Sequence, residues 1–430
     1  MPTTILVWFK NDLRLLDNET WYRACQQADC VIPLYVFDPR QFAPHKLGFP
    51  RSGSFRTQFL IDSVTALREE LMQKGSNLIV RFGLPEFIIP EICAKNKFSH
   101  VFTSSEVASE EVSILNALTH ILGSKEVGIQ TFATSTLIHP EDLPIAVTNL
   151  PNQFTLFRKQ VERDWTIRQQ FEKPEIKPLP QLEPGIIPNL NLLGLPAITP
   201  DHRSVITYKG GEAAAHQQLK EYIWDKDLLK VYKETRNGLI GADYSSKLSA
   251  ALAVGCISPR TIYHEVKKYE QERVTNQSTY WLIFELLWRD YFRFGAQKYG
   301  SMIFQGHGIS NKQINWKYDF EKFNAWRLGK TGVDFVDANM KELLLTGFMS
   351  NRGRQNVASF LTKDLGIDWR WGAAWFESQL IDYDVCSNWL NWAYVAGVGN
   401  DPREDRYFNI ESQVKKYDPD RLYVKLWMGK

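Results

Sequence analysis

Asn351, Arg354 and Gln355 stand three and four residues apart in SNRGRQN, a spacing that a helix gathers onto one face. A second stripe, Asp384, Asn388 and Trp392, repeats at steps of four in DYDVCSNWLNW. Both sit among Leu, Val, Phe and Trp, where amides and charges are costly to bury unless something hydrogen-bonds them. Two such stripes close in sequence suit a planar polar ligand held in a helical interior. Arg354 and Asp382 are natural ion-pair partners, and a desolvated pair of this kind usually survives because a site needs it. A purely structural polar network is the competing reading.

Three further groupings lie in the second half. Tyr232 precedes ADYSSKLS, whose Ser245, Ser246 and Ser249, with the backbone N–H groups around Lys247, could cradle a diphosphate. A polar loop with a helix cap, ahead of a helix near Ser258-Pro259, is the plainer alternative. In WLIFELLWRDYFR, Glu285, Trp288 and Arg289 occupy i, i+3 and i+4: an acid, an aromatic plate and a cation on one face. A flat ligand could stack on Trp288 and hydrogen-bond to Glu285, or the three could be an amphipathic helix with an internal Glu–Arg pair. Trp316, Trp369 and Trp392 could pass an electron from solvent to a buried acceptor, because indole is the most easily oxidised common side chain. Core packing is the ordinary use of such residues.

These groups need a scaffold, and the chain changes character along its length. In the first third, short apolar runs at Thr4–Phe9, Val31–Phe37, Asn77–Phe82, His100–Thr103 and Gly128–Phe132 read as buried parallel strands. Helical patterns at Gly53–Lys74 and Val107–Leu122 alternate with them, which argues for a doubly wound α/β sheet. No GxGxxG follows the first strand, so an ordinary dinucleotide site there is not expected. Ten of the 20 prolines fall between Pro140 and Pro200, marking a connector that wraps the surface with a helix near Thr155–Phe171. From Gly211 the chain turns helical, and 11 of its 14 tryptophans follow residue 205. The division expected is 1–132 for the α/β domain, 133–205 for the connector and 206–430 for an all-helical domain, in keeping with a length of 430 residues.

A net charge of +2 marks no global attraction to nucleic acid, but the charge is uneven. Residues 1–205 hold 20 Lys+Arg against 22 Asp+Glu, and 206–430 hold 31 against 27, so any DNA-binding patch belongs to the second half. Five cysteines without a CxxC pair suit reduced thiols, with no structural disulfide and no Cys-based metal site. No apolar run approaches 18 residues, so no membrane span is expected. MPTTILVWF runs straight into a strand-like segment, which favours a bacterial-type cytoplasm, with an organelle left open for a chain trimmed of its leader.

The runs WLIFELLWRDYFR, TGFMSNRGRQNVASFLTKDLGIDWRWGAAWFESQLIDYDVCSNWLNW and GVGNDPREDRYFNI resemble the flavin-binding domain of the photolyase/cryptochrome family. VWFKNDLRLLDNE and KETRNGLIGADYSSKLSAALAVGCISPR resemble its other signature segments, so the likeness spans essentially the whole chain. Among subgroups the chain is most similar to the DASH branch. The resemblance implies FAD in a U-shaped form, with Tyr232, Ser245, Ser246, Lys247, Leu248, Ser249 and Arg289 around its diphosphate and ribityl chain. Arg354, Asp382, Asp384 and Asn388 match the residues around the isoalloxazine, and Trp392, Trp369 and Trp316 match a photoreduction chain.

Glu285, Trp288, Asn351 and Arg352 match the lesion pocket of cyclobutane-dimer repair enzymes, in which Glu285 would hydrogen-bond a thymine carbonyl. Tyr394 and Gln355 depart from it, standing where those enzymes have a second stacking Trp and a Met. The implied activity is light-driven photo-lyase repair of cyclobutane pyrimidine dimers by reduced FAD, mainly in single-stranded or looped DNA. Repair of 6-4 photoproducts is not expected, because Asn351 and Gln355 stand where those enzymes place histidines. A methenyltetrahydrofolate antenna is implied, with Glu110 in SEVASEEV as its candidate contact. Arg352, Arg370 and Lys298 are candidate phosphate donors from position and charge. A monomer is expected, with RNA as a possible competing polymer. The alternative function is a blue-light receptor that photoreduces FAD without efficient repair. The end at Lys430, soon after the flavin domain, counts against it by leaving no disordered output tail.

Overall fold

The computed structural model describes residues 3–429 except 97, 178, 180, 181, 206, 404 and 405. Its strands are β1 (Thr4–Phe9), β2 (Cys30–Phe37), β3 (Pro44–His45), β4 (Phe49–Pro50), β5 (Ile79–Phe82), β6 (His100–Ser104) and β7 (Gly128–Phe132). Five form one sheet in the order β5-β2-β1-β6-β7, every neighbour parallel. The register pairs Thr4 with Cys30, Ile5 with His100, Leu34 with Ile79 and His100 with Gly128. Strands β1 and β2 are buried along nearly their whole length, which is why they read as unbroken apolar runs. The chain winds outward from β1 in both directions, so a crevice opens at the carboxyl ends where the order reverses.

Helices Ser54–Gln73 and Ser109–Gly123 lie where the apolar periodicity placed them. The connector helix spans Phe154–Asp164 and so stops short of Phe171. Tertiary bonds pull the next residues out straight: Arg168 grips Asp142 at 2.6 and 2.8 Å, and the Phe171 N–H donates to Asp17 Oδ1 at 3.1 Å. The rest of the connector is mostly irregular, apart from the short 3-10 turns Pro140–Asp142 and Val147–Asn149.

The connector bonds both halves. The buried Asp290 carboxylate accepts from the Leu137 and Ile138 amides at 3.0 and 2.9 Å, and Arg68 donates to the Pro184 and Gly185 carbonyls at 2.7 and 3.0 Å. Below it, the loop after β1 docks directly on the helical half. Asp17 and Arg260 form an ion pair at 2.7 Å with side chains 0% and 2% exposed, and Arg14 donates to the Gly255 and Thr134 carbonyls. Gly255, at φ +75°, allows this contact, since a Cβ there would lie 2.1 Å from the Asn11 carbonyl oxygen.

The helical half is built on Gln277–Tyr299, the 23-residue helix carrying Glu285, Trp288 and Arg289. Asn276 starts it with a capping box, accepting from the Ser278 and Thr279 amides while Thr279 Oγ1 accepts from its own N–H. Helix Val385–Ala396 packs against it, Asn351–Ser359 and Trp369–Gln379 pack on Val385–Ala396 in turn, and the three carry the polar stripes and two of the three tryptophans. All five cysteines are free thiols. Among the described residues no helix is long and apolar enough to cross a membrane, and no His/Cys/Asp/Glu group could hold a metal.

Candidate functional site

Three adjoining lobes of about 420, 240 and 110 Å³ meet among these helices, and Asn351, Arg354 and Asp382 line all three. The expected ion pair stands at that junction. Arg354 Nη2 donates to both Asp382 oxygens at 3.0 and 2.9 Å, and its Nε donates to the Met349 carbonyl at 2.9 Å. Ser350 caps this helix by accepting from the Gly353 N–H at 2.9 Å, which places Asn351 at its first turn, facing the junction.

Tyr232 and the whole of Ser245–Ser249 line the 240 Å³ lobe. Lys247 is left-handed at φ +55° and Leu248 right-handed, an alternation that turns successive N–H groups to one side as an anion nest. No side chain caps the helix that starts at Ser249, so its first N–H groups are available to a ligand. The Lys247 ammonium lies 3.0 Å from Ser245 Oγ and 3.0 Å above the Tyr244 ring, and burial drives its pKa down to about 6.

Asn388 and Trp392 line the smallest lobe, with Asp384 at its edge. Asn388 donates its amide N–H to the Ala373 carbonyl at 3.0 Å, which leaves the amide oxygen for the lobe. Asp384 caps its helix through the Ser387 N–H at 2.7 Å. Burial alone would raise the Asp384 pKa, but Arg289, the Ser387 amide and Arg293 together hold it below the usual carboxylate range. Trp392 lies over Gly372, where a Cβ would come within 2.2 Å of its ring. Gly372 shares a helix with Trp369, and the indole N–H groups of Trp369 and Trp316 both donate to the Gly306 carbonyl, at 3.2 and 3.0 Å. All three tryptophans are buried, and Trp369 and Trp316 meet at that carbonyl.

Glu285, Trp288, Gln355 and Tyr394 line the 420 Å³ lobe, which is the outer chamber. Glu285 pairs with Arg236 at 2.7 Å and not with Arg289, which donates to the Ser135 and Leu252 carbonyls. Glu285 Oε1 is the buried oxygen of this carboxyl and lies against Arg236, while the side chain as a whole is 29% exposed and lines the chamber. Burial raises the Glu285 pKa, against the opposing pull of Arg236. Trp288 is backed by Phe154, whose ring stacks on it at 3.7 Å between centroids.

Other predicted residues fall outside the lobes. Arg352 borders the chamber, held by Gln355 at 2.8 Å and Asn237 at 2.9 Å above the Tyr417 ring, with no carboxylate partner among the described residues. Arg370 is committed to Asp368 and Lys298 to the Leu150 carbonyl at 2.7 Å, so neither charge is presented at the chamber. Glu110 lines a separate cavity of about 560 Å³ between the halves, at the carboxyl ends of β1 and β2. Arg51 grips its carboxylate with two contacts of 2.8 Å and so lowers its pKa. Tyr383 and Asp384 line both this cavity and the smallest lobe. Sequence reasoning missed Arg236, Arg406 and Phe154. The first two lay within quoted runs, but Phe154 is brought in only by tertiary packing.

Residues 5–181 match the family model for DNA photolyase, and residues 281–430 match that for the FAD binding domain of DNA photolyase. The chain belongs to the photolyase/cryptochrome family. It is 53% identical over 426 residues to Cryptochrome DASH of Gloeobacter violaceus, covering 99% of this chain and 85% of that protein. Its fold superposes on the crystal structure of Synechocystis sp. PCC6803 cryptochrome with a TM-score of 0.97 at 52% identity, covering 100% of this chain and 89% of that one. A bacterial class III photolyase from Agrobacterium tumefaciens gives a TM-score of 0.85 at 28% identity, covering 100% and 87%. The helical half is therefore an FAD-binding domain of this family. Its residues fit such a cofactor: an unpartnered N–H nest for a diphosphate lies one lobe away from a narrow slot carrying a free amide oxygen and an ionised Asp384.

Proposed function

We propose that the protein repairs cyclobutane pyrimidine dimers in unpaired DNA under near-UV or blue light. The observation that carries this reading is the outer chamber. It joins the slot of Asn388 through a shared wall and presents, on one helix, the partly exposed Glu285 carboxyl and an aromatic plate with a backed face.

The backbone of Lys247–Ser249, with Ser245 and Ser246, holds the diphosphate of FAD, and Arg354, Asp382, Asp384 and Asn388 surround its ring system. Reduced FAD, once bound, supplies the photoexcited electron that opens a dimer. Burial raises the Glu285 pKa and so favours the protonated form, which donates a hydrogen bond to the pyrimidine carbonyl where negative charge develops. Trp288 stacks on the lesion, and Asn351 and Gln355 line the opposite wall. Trp392, Trp369 and Trp316 carry reducing electrons inward. Arg352, without an acidic partner among the described residues, contacts a phosphate at the rim and so gives sequence-independent binding that weakens with salt. The cavity between the halves takes the folate antenna, with Glu110 and Arg51 in its wall.

Preference for unpaired DNA follows from the energies. Stacking a base on an aromatic side chain is worth ~1–3 kcal/mol, and extruding a base from a duplex costs a few kcal/mol. A chamber with Trp288 as its single plate recovers too little to extract a dimer from paired DNA. The test is dimer repair in light and in darkness on single-stranded and duplex oligonucleotides. Repair in light alone, confined to unpaired DNA, supports the proposal. Light-driven flavin reduction without repair would mark a photoreceptor instead.

A further inference from the structure

We propose that Asp384 is the proton relay of the flavin slot, drawing on the cavity between the halves when light reduces the cofactor. The inference rests on the flavin placement and tryptophan route proposed above and extends them to the proton that the ring takes up on reduction. Among the described residues, only Tyr383 and Asp384 line both that cavity and the smallest lobe.

The other groups of the slot are committed. Asn388 carries an amide, which is no acid, and its N–H is spent on the Ala373 carbonyl at 3.0 Å. Asp382 is gripped by Arg354 through both oxygens. Burial pushes the Tyr383 phenol well above its ordinary pKa, so it keeps its proton. Its ring lies beneath Arg56 at 4.2 Å and its hydroxyl accepts from Trp389 Nε1 at 3.2 Å, two partners that line the cavity. Asp384 differs. Its Oδ1 accepts from the Ser387 N–H at 2.7 Å, while Oδ2 has no hydrogen-bond partner among the described residues and is not closed off from the cavities.

At rest Arg289, the Ser387 amide and Arg293 keep Asp384 ionised. An electron arriving on the ring beside it adds a like charge, which raises the proton affinity of the carboxylate. Glu111, in the wall of the same cavity, is raised to about 7 by burial and by Glu106, so the cavity exchanges protons near neutral pH. The electron comes through Trp316, Trp369 and Trp392 from a thiol reductant in the medium, which is oxidised towards disulfide. The proton leaves cavity water for Asp384 Oδ2 and then passes to a ring nitrogen, which restores the carboxylate. One electron and one proton are taken up together.

The experiment flashes antenna-free holoprotein, with oxidised flavin and dithiothreitol, and follows flavin absorbance, a pH-indicator dye and the infrared carboxyl region. In wild type a protonated-carboxyl band should rise after the electron arrives and decay as the flavin takes its proton. Absence of that band overturns the inference. Asp384→Ala should slow flavin protonation about 10²-fold, the lower range for a positioned proton-transfer group, with electron arrival unchanged. If that variant loses its flavin, the wild-type band decides. Added formate should restore the rate in proportion to its concentration, and Asp384→Glu should restore part of it. Slowing that neither relieves overturns the inference in favour of a structural role. Tyr383→Phe should keep the wild-type rate; slowing there, with Asp384→Ala unaffected, assigns the relay to the phenol and overturns it. Wild-type flavin that light does not reduce overturns the tryptophan route and this inference together, whereas failure of dimer repair alone leaves the inference standing.

Discussion

The donor role proposed for Glu285 needs its protonated form, and burial raises its pKa against the opposing pull of Arg236. The proton that makes it a donor is present at lower pH and is lost as pH rises through that raised pKa. Wild-type repair should therefore decline on the alkaline side, while Glu285→Gln, whose amide donates at every pH, should give a flatter profile. Glu285→Ala should slow repair about 10²–10³-fold, the usual cost of removing one such donor, with bound-flavin absorbance unchanged. Rates of dimer opening across pH decide both points. At this scale the sequence was legible wherever partners share a helix or neighbouring helices. Steps of three and four exposed the Asn351, Arg354 and Asn388 stripes, and the Arg354–Asp382 pair formed as expected. The Glu285 partner was not legible, because Arg236 arrives from the short helix region Tyr232–Thr235, whose docking no local pattern encodes.

Three elements meet behind the 240 Å³ lobe: the Lys247 turn, helix Asp334–Thr346 and helix Leu422–Met428. Glu342 is 1% exposed and accepts from the Tyr423 hydroxyl at 2.5 Å, near Asn339, Lys247 and Arg354. Burial raises its pKa from an ordinary 4.5 to about 8. Between those values the folded chain holds a proton that the unfolded chain has released, so this group makes stability fall as pH rises through the window. Glu342→Gln removes that dependence. Its melting temperature relative to wild type should become more favourable from about pH 5 to about pH 9. Lys247, depressed to about 6, titrates with the opposite sign, and since the Glu342 charge raises its pKa, the comparison reads both groups together. Strand limits came close to those read from apolar runs, since a strand buried on both faces has no other composition open to it. The connector helix ended early because Arg168 and Phe171 are worth more in tertiary bonds than in another helical turn, and no local signal announces that.

Over the whole molecule, the buried Asp17–Arg260 pair and the loop around it join the two halves. Removing one partner of such a pair leaves an uncompensated charge, so Asp17→Ala should cost about 3–5 kcal/mol, read by urea titration of the holoprotein. The α/β-then-helical order was legible from the alternation of strand and helix and from where the tryptophans cluster. The cavity between the halves was not, because its walls come from both ends of the chain, with Trp8 on one side and Trp389 on the other.

The connector carries a consequence of its own. It is tied down just before Ile186 by Arg68, and again just after it by the turn in which Leu193 and Leu195 bond back to Leu190, while Ile186 itself stands 81% exposed. A protease nick there severs the backbone at a point that no anchor crosses. The two fragments should co-elute, yellow and undivided, on gel filtration and part only in denaturant. Co-expressed as separate genes, they should reassemble into a pigmented complex.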